Sequence, residues 1–153
     1  MAFKLTHPVT QAFVLDELDP SGEAKVTFRQ ATARENQIRD TLVFSQQQRV
    51  ITATGVSTSN ALPWSVRQEI ECRLTLVGAE GILRPDGSPL FSFKGGKLDM
   101  DDQEFHDAWS LIHPQRVVDI LHGHCLDVNA DWDWRPREAA DEDPPPVEES
   151  GTG

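Results

Sequence analysis

The chain has 153 residues, with 14 Lys and Arg against 25 Asp and Glu, a formal net charge of −11, two Cys, four Trp and no Tyr. That length suits one compact domain around one core, and no apolar run approaches the roughly 18 residues of a membrane span. So negative a charge argues against a binder of nucleic-acid backbones, which needs a basic surface to displace counterions. Met1 to Pro8 lacks the apolar stretch of a signal peptide, so export is not expected. Cys72 and Cys125 are too few for a disulfide framework, and a reduced, cytosolic setting is the natural reading.

The first thirty residues read as β structure. Ala12-Phe13-Val14-Leu15 and Ala24-Lys25-Val26-Thr27-Phe28 flank Asp19-Pro20-Ser21-Gly22. Pro presets φ for the second position of a turn and Gly tolerates positive φ, so a hairpin is expected there. Phe3-Lys4-Leu5 is a candidate third strand. A helix is expected from Thr32, because Thr32-Ala33-Arg34-Glu35 fits the capping box, in which hydroxyl and carboxylate each satisfy an orphaned backbone N–H. Ala31, Glu35, Ile38 and Leu42 recur at helical spacing, with Arg34, Gln37 and Asp40 turned outward, and the helix extends to about Gln48.

Residues 50–63, rich in Thr, Ser, Ala and Asn, read as a loop or weak strand. Trp64 to Val77 supports two patterns. Val66, Ile70, Leu74 and Val77 match a helix face, whereas Ile70, Cys72, Leu74 and Leu76 alternate with polar residues as in a half-buried strand. The helix is the preferred reading. From Gly78 to Gly96 the chain is turn-rich, with a turn at Arg84-Pro85-Asp86-Gly87 and a short apolar plug at Leu90-Phe91-Ser92-Phe93.

Asp101 to Glu104 supplies an N-cap and a carboxylate at the third helical position. Phe105, Ala108, Trp109 and Ile112 then form one apolar stripe. Pro114 ends that helix and suits the start of another, whose stripe is Val117, Leu121, Cys125 and Val128, with Val118 and His124 at its edges. Two short antiparallel helices are the economical arrangement.

Beyond Trp134 the composition changes. Glu138 to Gly153 holds six acids, no base and Pro144-Pro145-Pro146, leaving 19 acids against all 14 bases, a net of −5, in residues 1–137. Such a tail cannot bury enough apolar surface to offset its ordering entropy. The expectation is an α+β protein: one compact domain over 1–136, with a β-hairpin region at 1–30 and a mainly helical part at 31–135, followed by a disordered acidic tail at 137–153.

No chemical motif stands out. His122 and His124, two apart, would point about 200° from one another on a helix, and His106 and His113 would lie roughly 10 Å apart along an axis, so neither pair can share an ion. Gly55-Val56-Ser57-Thr58-Ser59 lacks the closing Gly of a nucleophile elbow. Lys94-Gly95-Gly96-Lys97 has neither the spacing nor the Ser/Thr of a phosphate loop. No catalytic, cofactor or metal residues are therefore assigned. The unusual feature is Asn129-Ala130-Asp131-Trp132-Asp133-Trp134. Trp132 can fold back to close the core, or Trp132 and Trp134 can face a partner, since Trp is enriched in interface hot spots.

Glu104-Phe105-His106-Asp107-Ala108-Trp109 through His113-Pro114-Gln115-Arg116-Val117-Val118 to Val128-Asn129-Ala130-Asp131-Trp132 resembles the carboxy-terminal part of tail assembly chaperones of long-tailed bacteriophages. Those commonly show Phe-x-x-Ala-Trp, a second helix started by Pro, and an ending like Val-Asn-Pro-x-Trp; here Ala130 stands in place of the Pro. Thr75 to Ile82 followed by Pro85-Asp86-Gly87-Ser88-Pro89-Leu90-Phe91 is similar to such proteins too, as is the hairpin leading into Thr32. The resemblance implies a non-catalytic protein in the cytoplasm of the infected bacterial host. It would coat the tape measure protein and recruit tail tube subunits, needing no cofactor, nucleic acid or membrane. In this family a translational frameshift often appends a second domain. The competing expectation is a structural tail or neck component retained in the virion.

Overall fold

The computed structural model describes residues 2–48 and 63–133, with backbone only at 43–48. Its elements are strands β1 (Thr10–Val14) and β2 (Lys25–Arg29), helices α1 (Ala33–Gln48) and α2 (Trp64–Thr75), strands β3 (Leu76–Glu80), β4 (Phe93–Lys94) and β5 (Lys97–Leu98), and helices α3 (Asp102–Trp109) and α4 (Gln115–Val128), closed by a 3-10 turn at Ala130–Trp132. The architecture is α+β: a three-stranded antiparallel sheet in the order β1-β2-β3, packed on helices, with β4 and β5 as a separate hairpin. The loop expected over 50–63, apart from Pro63, and the acidic tail at 137–153 lie outside the described residues. Among the described residues no helix is long and apolar enough to cross a membrane.

The β1–β2 hairpin forms where the turn residues indicate it. Phe13 pairs with Val26 and Val14 with Lys25, and Gly22 takes φ +78°. The third strand differs from expectation. Residues 2–9 form no strand, and Phe3 and Leu5 are 88% and 82% exposed. The free edge of β2 is taken instead by β3, with Val26 opposite Ala79 and a bulge between Thr27 and Phe28. Part of the stretch expected to be mainly helical thus supplies the sheet.

The ambiguity at 64–77 resolves into both patterns in succession. The helix runs to Thr75, and Leu76, at φ −74° and ψ 121°, passes directly into β3. The buried residues of α2 are Gln68, Ile70, Glu71, Cys72 and Thr75, which match neither simple template. α2 lies against α1, α3 and α4, so polar side chains find partners inside.

Local chemistry sets the other helix starts. The Glu35 N–H donates to the Thr32 hydroxyl and the Thr32 N–H to the Glu35 carboxylate, at 3.3 and 2.9 Å. The same reciprocal box joins Asp101 and Glu104, both bonds at 2.8 Å. Gly95 and Gly96, both at positive φ, make the β4–β5 turn, as a two-residue hairpin requires.

The core lies between the inner face of the sheet (Val26, Phe28, Leu76) and α3 and α4, with Leu90 and Phe91 as the plug. Phe105, Ala108 and Trp109 are buried as their stripe predicts, while the face of α4 is rotated from the expected one. Val118, Leu121, His122, Cys125, Leu126 and Val128 are buried and Val117 is half-buried. The cause is the position of α2, the principal helical neighbour of α4, which draws His122 inward.

Candidate partner-binding groove

Three connections converge over α4. In the first, the β1–β2 turn, the Asp19 carboxylate accepts the Ser21 hydroxyl at 2.7 Å and the N–H groups of Glu23 and Ala24 at 3.0 Å. The Ser21 hydroxyl foremost, with these N–H groups, holds the Asp19 carboxyl below its ordinary value. The second is the loop after β3. Gly81, at φ +71°, passes so close to the turn that a Cβ there would sit 2.6 Å from the Glu23 carbonyl oxygen. The third is the α3–α4 link, in which Leu111 and Ile112 donate to Ala108 and Trp109 carbonyls at 3.1 Å.

Together they frame an open groove of about 640 Å³. Leu15, Leu90 and Leu121 form its buried floor, and Leu83 and Leu111, 57% and 49% exposed, stand at its rim. Apart from Arg84, its polar side chains are committed locally. Ser110 Oγ donates to the His106 carbonyl at 2.7 Å, His113 Nδ1 lies 3.0 Å from the Leu111 carbonyl, and Asp19 is held by its turn. What remains is apolar surface with a polar border, the character of a contact surface for another chain.

A second cluster is polar and enclosed. Glu71, 1% exposed, receives Arg39 Nε on one oxygen and faces His122 Nε2 on the other, both at 2.6 Å. Gln68 donates to Asp119 at 2.9 Å, and Gln115 donates to both, at 3.2 and 3.1 Å. Trp64 meets the His122 ring edge-on at 5.2 Å. Both Glu71 oxygens are occupied by neighbouring helices, so this carboxylate acts as a clamp of α1, α2 and α4. The Cys72 thiol below it is fully buried beside Cys125, and burial pushes it well above the ordinary thiol value, which favours the unreactive form. Among the described residues no three His, Cys, Asp or Glu side chains come together as metal ligands. His122 turns to Glu71 and His124 stacks on Phe13 at 4.3 Å.

Of the two tryptophans singled out by the sequence, Trp132 is 3% exposed, its indole N–H donates to Asn36 at 2.6 Å, and the Arg39 guanidinium lies 5.2 Å from its ring centre. It closes the core, the first of its two readings, and is not available as an outward anchor. Trp134 lies outside the described residues. The groove escaped sequence reasoning because four separate segments build it; its only sequence signal is Leu111, an apolar residue off the phase of the α3 stripe. Comparison with family models, curated proteins and solved structures gives no significant match to this chain.

Proposed function

We propose that this chain is a non-catalytic tail assembly chaperone of a long-tailed bacteriophage, acting in the cytoplasm of the infected bacterial host. It binds the tape measure protein and helps recruit tail tube subunits, without cofactor, metal or nucleic acid. The observation that carries the reading is the open apolar groove with Leu83 and Leu111 at its rim. A transient holder of an aggregation-prone chain needs exposed apolar contact on a soluble body, and the net charge of −11 supports the second requirement. The resemblance over residues 104–132 supports it differently. Phe105, Ala108, Trp109 and Trp132 are buried, so the residues that carry the resemblance would mark a shared core, and the groove would supply the binding surface.

Co-expression with the tape measure protein of the same phage tests this. The expected result is tape measure protein that stays soluble and co-purifies with the chain. Tape measure protein that precipitates regardless, together with this chain in purified virions, would instead establish a structural tail or neck component.

A further inference from the structure

Among the described residues, neither residues 2–8 of the amino-terminal arm nor the outer edge of the sheet pairs with another strand, and each has what the other lacks. β1 is an edge strand. The Leu15 N–H donates to the Ala24 carbonyl and the Gln30 N–H to the Val9 carbonyl, both at 2.8 Å. Alternation along a strand then turns the backbone groups of Val9, Gln11, Phe13 and Leu15 toward β2, and those of Thr10, Ala12 and Val14 outward. Among the described residues nothing pairs with that outward row. An edge of this kind is a template for another strand.

The arm is strand-like in sequence and has no sheet of its own. Phe3, Leu5 and Val9 fall on one face of an extended chain, and all three are exposed, at 88%, 82% and 54%. The arm does not fold back onto its own β1, and residues 2–9 form no strand. Val9 is pinned in line with the strand, its N–H on the Gln30 side chain at 3.1 Å and its carbonyl on the Gln30 N–H.

We propose that two copies of this chain associate through the β1 edge, each arm lying antiparallel along β1 of its partner. Two-fold pairing of this kind is self-complementary, because each copy offers one arm and one edge. Charge agrees with the direction. The first fifteen residues contain Lys4 and His7 and no acid, whereas Asp16, Glu17 and Glu23 are exposed around the β1–β2 turn and outnumber Lys25 there. The antiparallel arrangement carries Lys4 toward that acidic turn of the second copy. It also carries Phe3 and Leu5 alongside Phe13, which shares their face of the strand and is half-buried.

Light scattering coupled to gel filtration on the full chain tests the proposal. For a Kd near 1 mM the expected weight-average molar mass is about 1.4 times that of one chain at an eluting concentration of roughly 0.5 mM, rising toward twice as the concentration increases. The Phe3→Asp, Leu5→Asp variant should return to the mass of one chain with an unchanged thermal melt, since both side chains are solvent-exposed. Ala12→Pro removes an outward N–H and no β1–β2 bond, and should have the same effect. Lys4→Glu, which cannot disturb the core, should weaken association at least tenfold and decides the matter if Ala12→Pro does not fold. A wild type of single-chain mass at that concentration, or a dimer that survives the Phe3, Leu5 variant, overturns the proposal.

Discussion

The Asn129 side chain ties the end of α4 to Ala31, ninety-eight residues earlier: its Oδ1 accepts the Ala31 N–H at 2.8 Å. Its Nδ2 donates to the carbonyls of Arg29 and Cys125, at 3.1 and 3.2 Å. The strand-to-helix junction between β2 and α1 would otherwise leave polar backbone groups unsatisfied. Three residues on, Trp132 bonds Asn36 from the other side. The Asn129 to Trp132 segment is therefore a closure of the fold.

Asn129→Ala should then destabilise the protein by about 2–3 kcal/mol, because partly buried backbone groups lose their partner. Asn129→Asp keeps an acceptor for Ala31 but sets a carboxylate against two carbonyls, so it should be no better tolerated. Urea titration with unchanged m-values measures both. A cost below about 0.5 kcal/mol, the level of an ordinary surface substitution, would show that water replaces these bonds.

Glu71 offers a second test. Glu71→Ala leaves Arg39 and His122 facing each other without their shared carboxylate, and breaking a buried charge arrangement from one side costs about 3–5 kcal/mol. His122→Leu on its own should also be destabilising. The double variant should cost less than the two single changes added, since each removes the same contact. Additive costs in denaturant titration would mean that the 2.6 Å approach contributes nothing.

Trp109→Ala should cost about 3–5 kcal/mol as a core truncation. Trp109 is buried and stacks on Phe105 at 5.5 Å, which in turn stacks on Phe91 at the same distance. A thermal melt or urea titration reads it; a loss under 1 kcal/mol would mean that the three rings do not share one core.

What the sequence reveals and conceals follows from range. The capping boxes at Thr32 and Asp101 and the Gly22 turn are complete within a few residues, so local chemistry suffices to find them. The strand opposite β2 is chosen by competition between distant segments. Phe3-Lys4-Leu5 has the right alternation, but Leu76–Glu80 is delivered to the site by α2 and occupies it. Glu71 looks like the polar half of a strand pattern until Arg39 and His122, thirty-two residues before and fifty-one after, arrive to bury it. The groove is less legible still, being made by a turn, a loop, a helix link and α4 together.

The groove reading leads to the final prediction. Leu83 and Leu111 are both exposed, at 57% and 49%, so Leu83→Asp and Leu111→Asp should change stability by no more than about 0.5 kcal/mol. Each removes apolar contact at the rim and places a carboxylate where a partner would have to desolvate it. In co-expression, either variant should retain markedly less soluble tape measure protein than the wild type, and the pair together least. Trp134→Ala, run alongside, asks whether the second tryptophan adds to the same surface. Full capture by the Leu83, Leu111 double variant, with its fold intact by thermal melt, would remove the groove from the binding site. Loss of capture on Trp134→Ala alone would then move that site to the segment following the 3-10 turn.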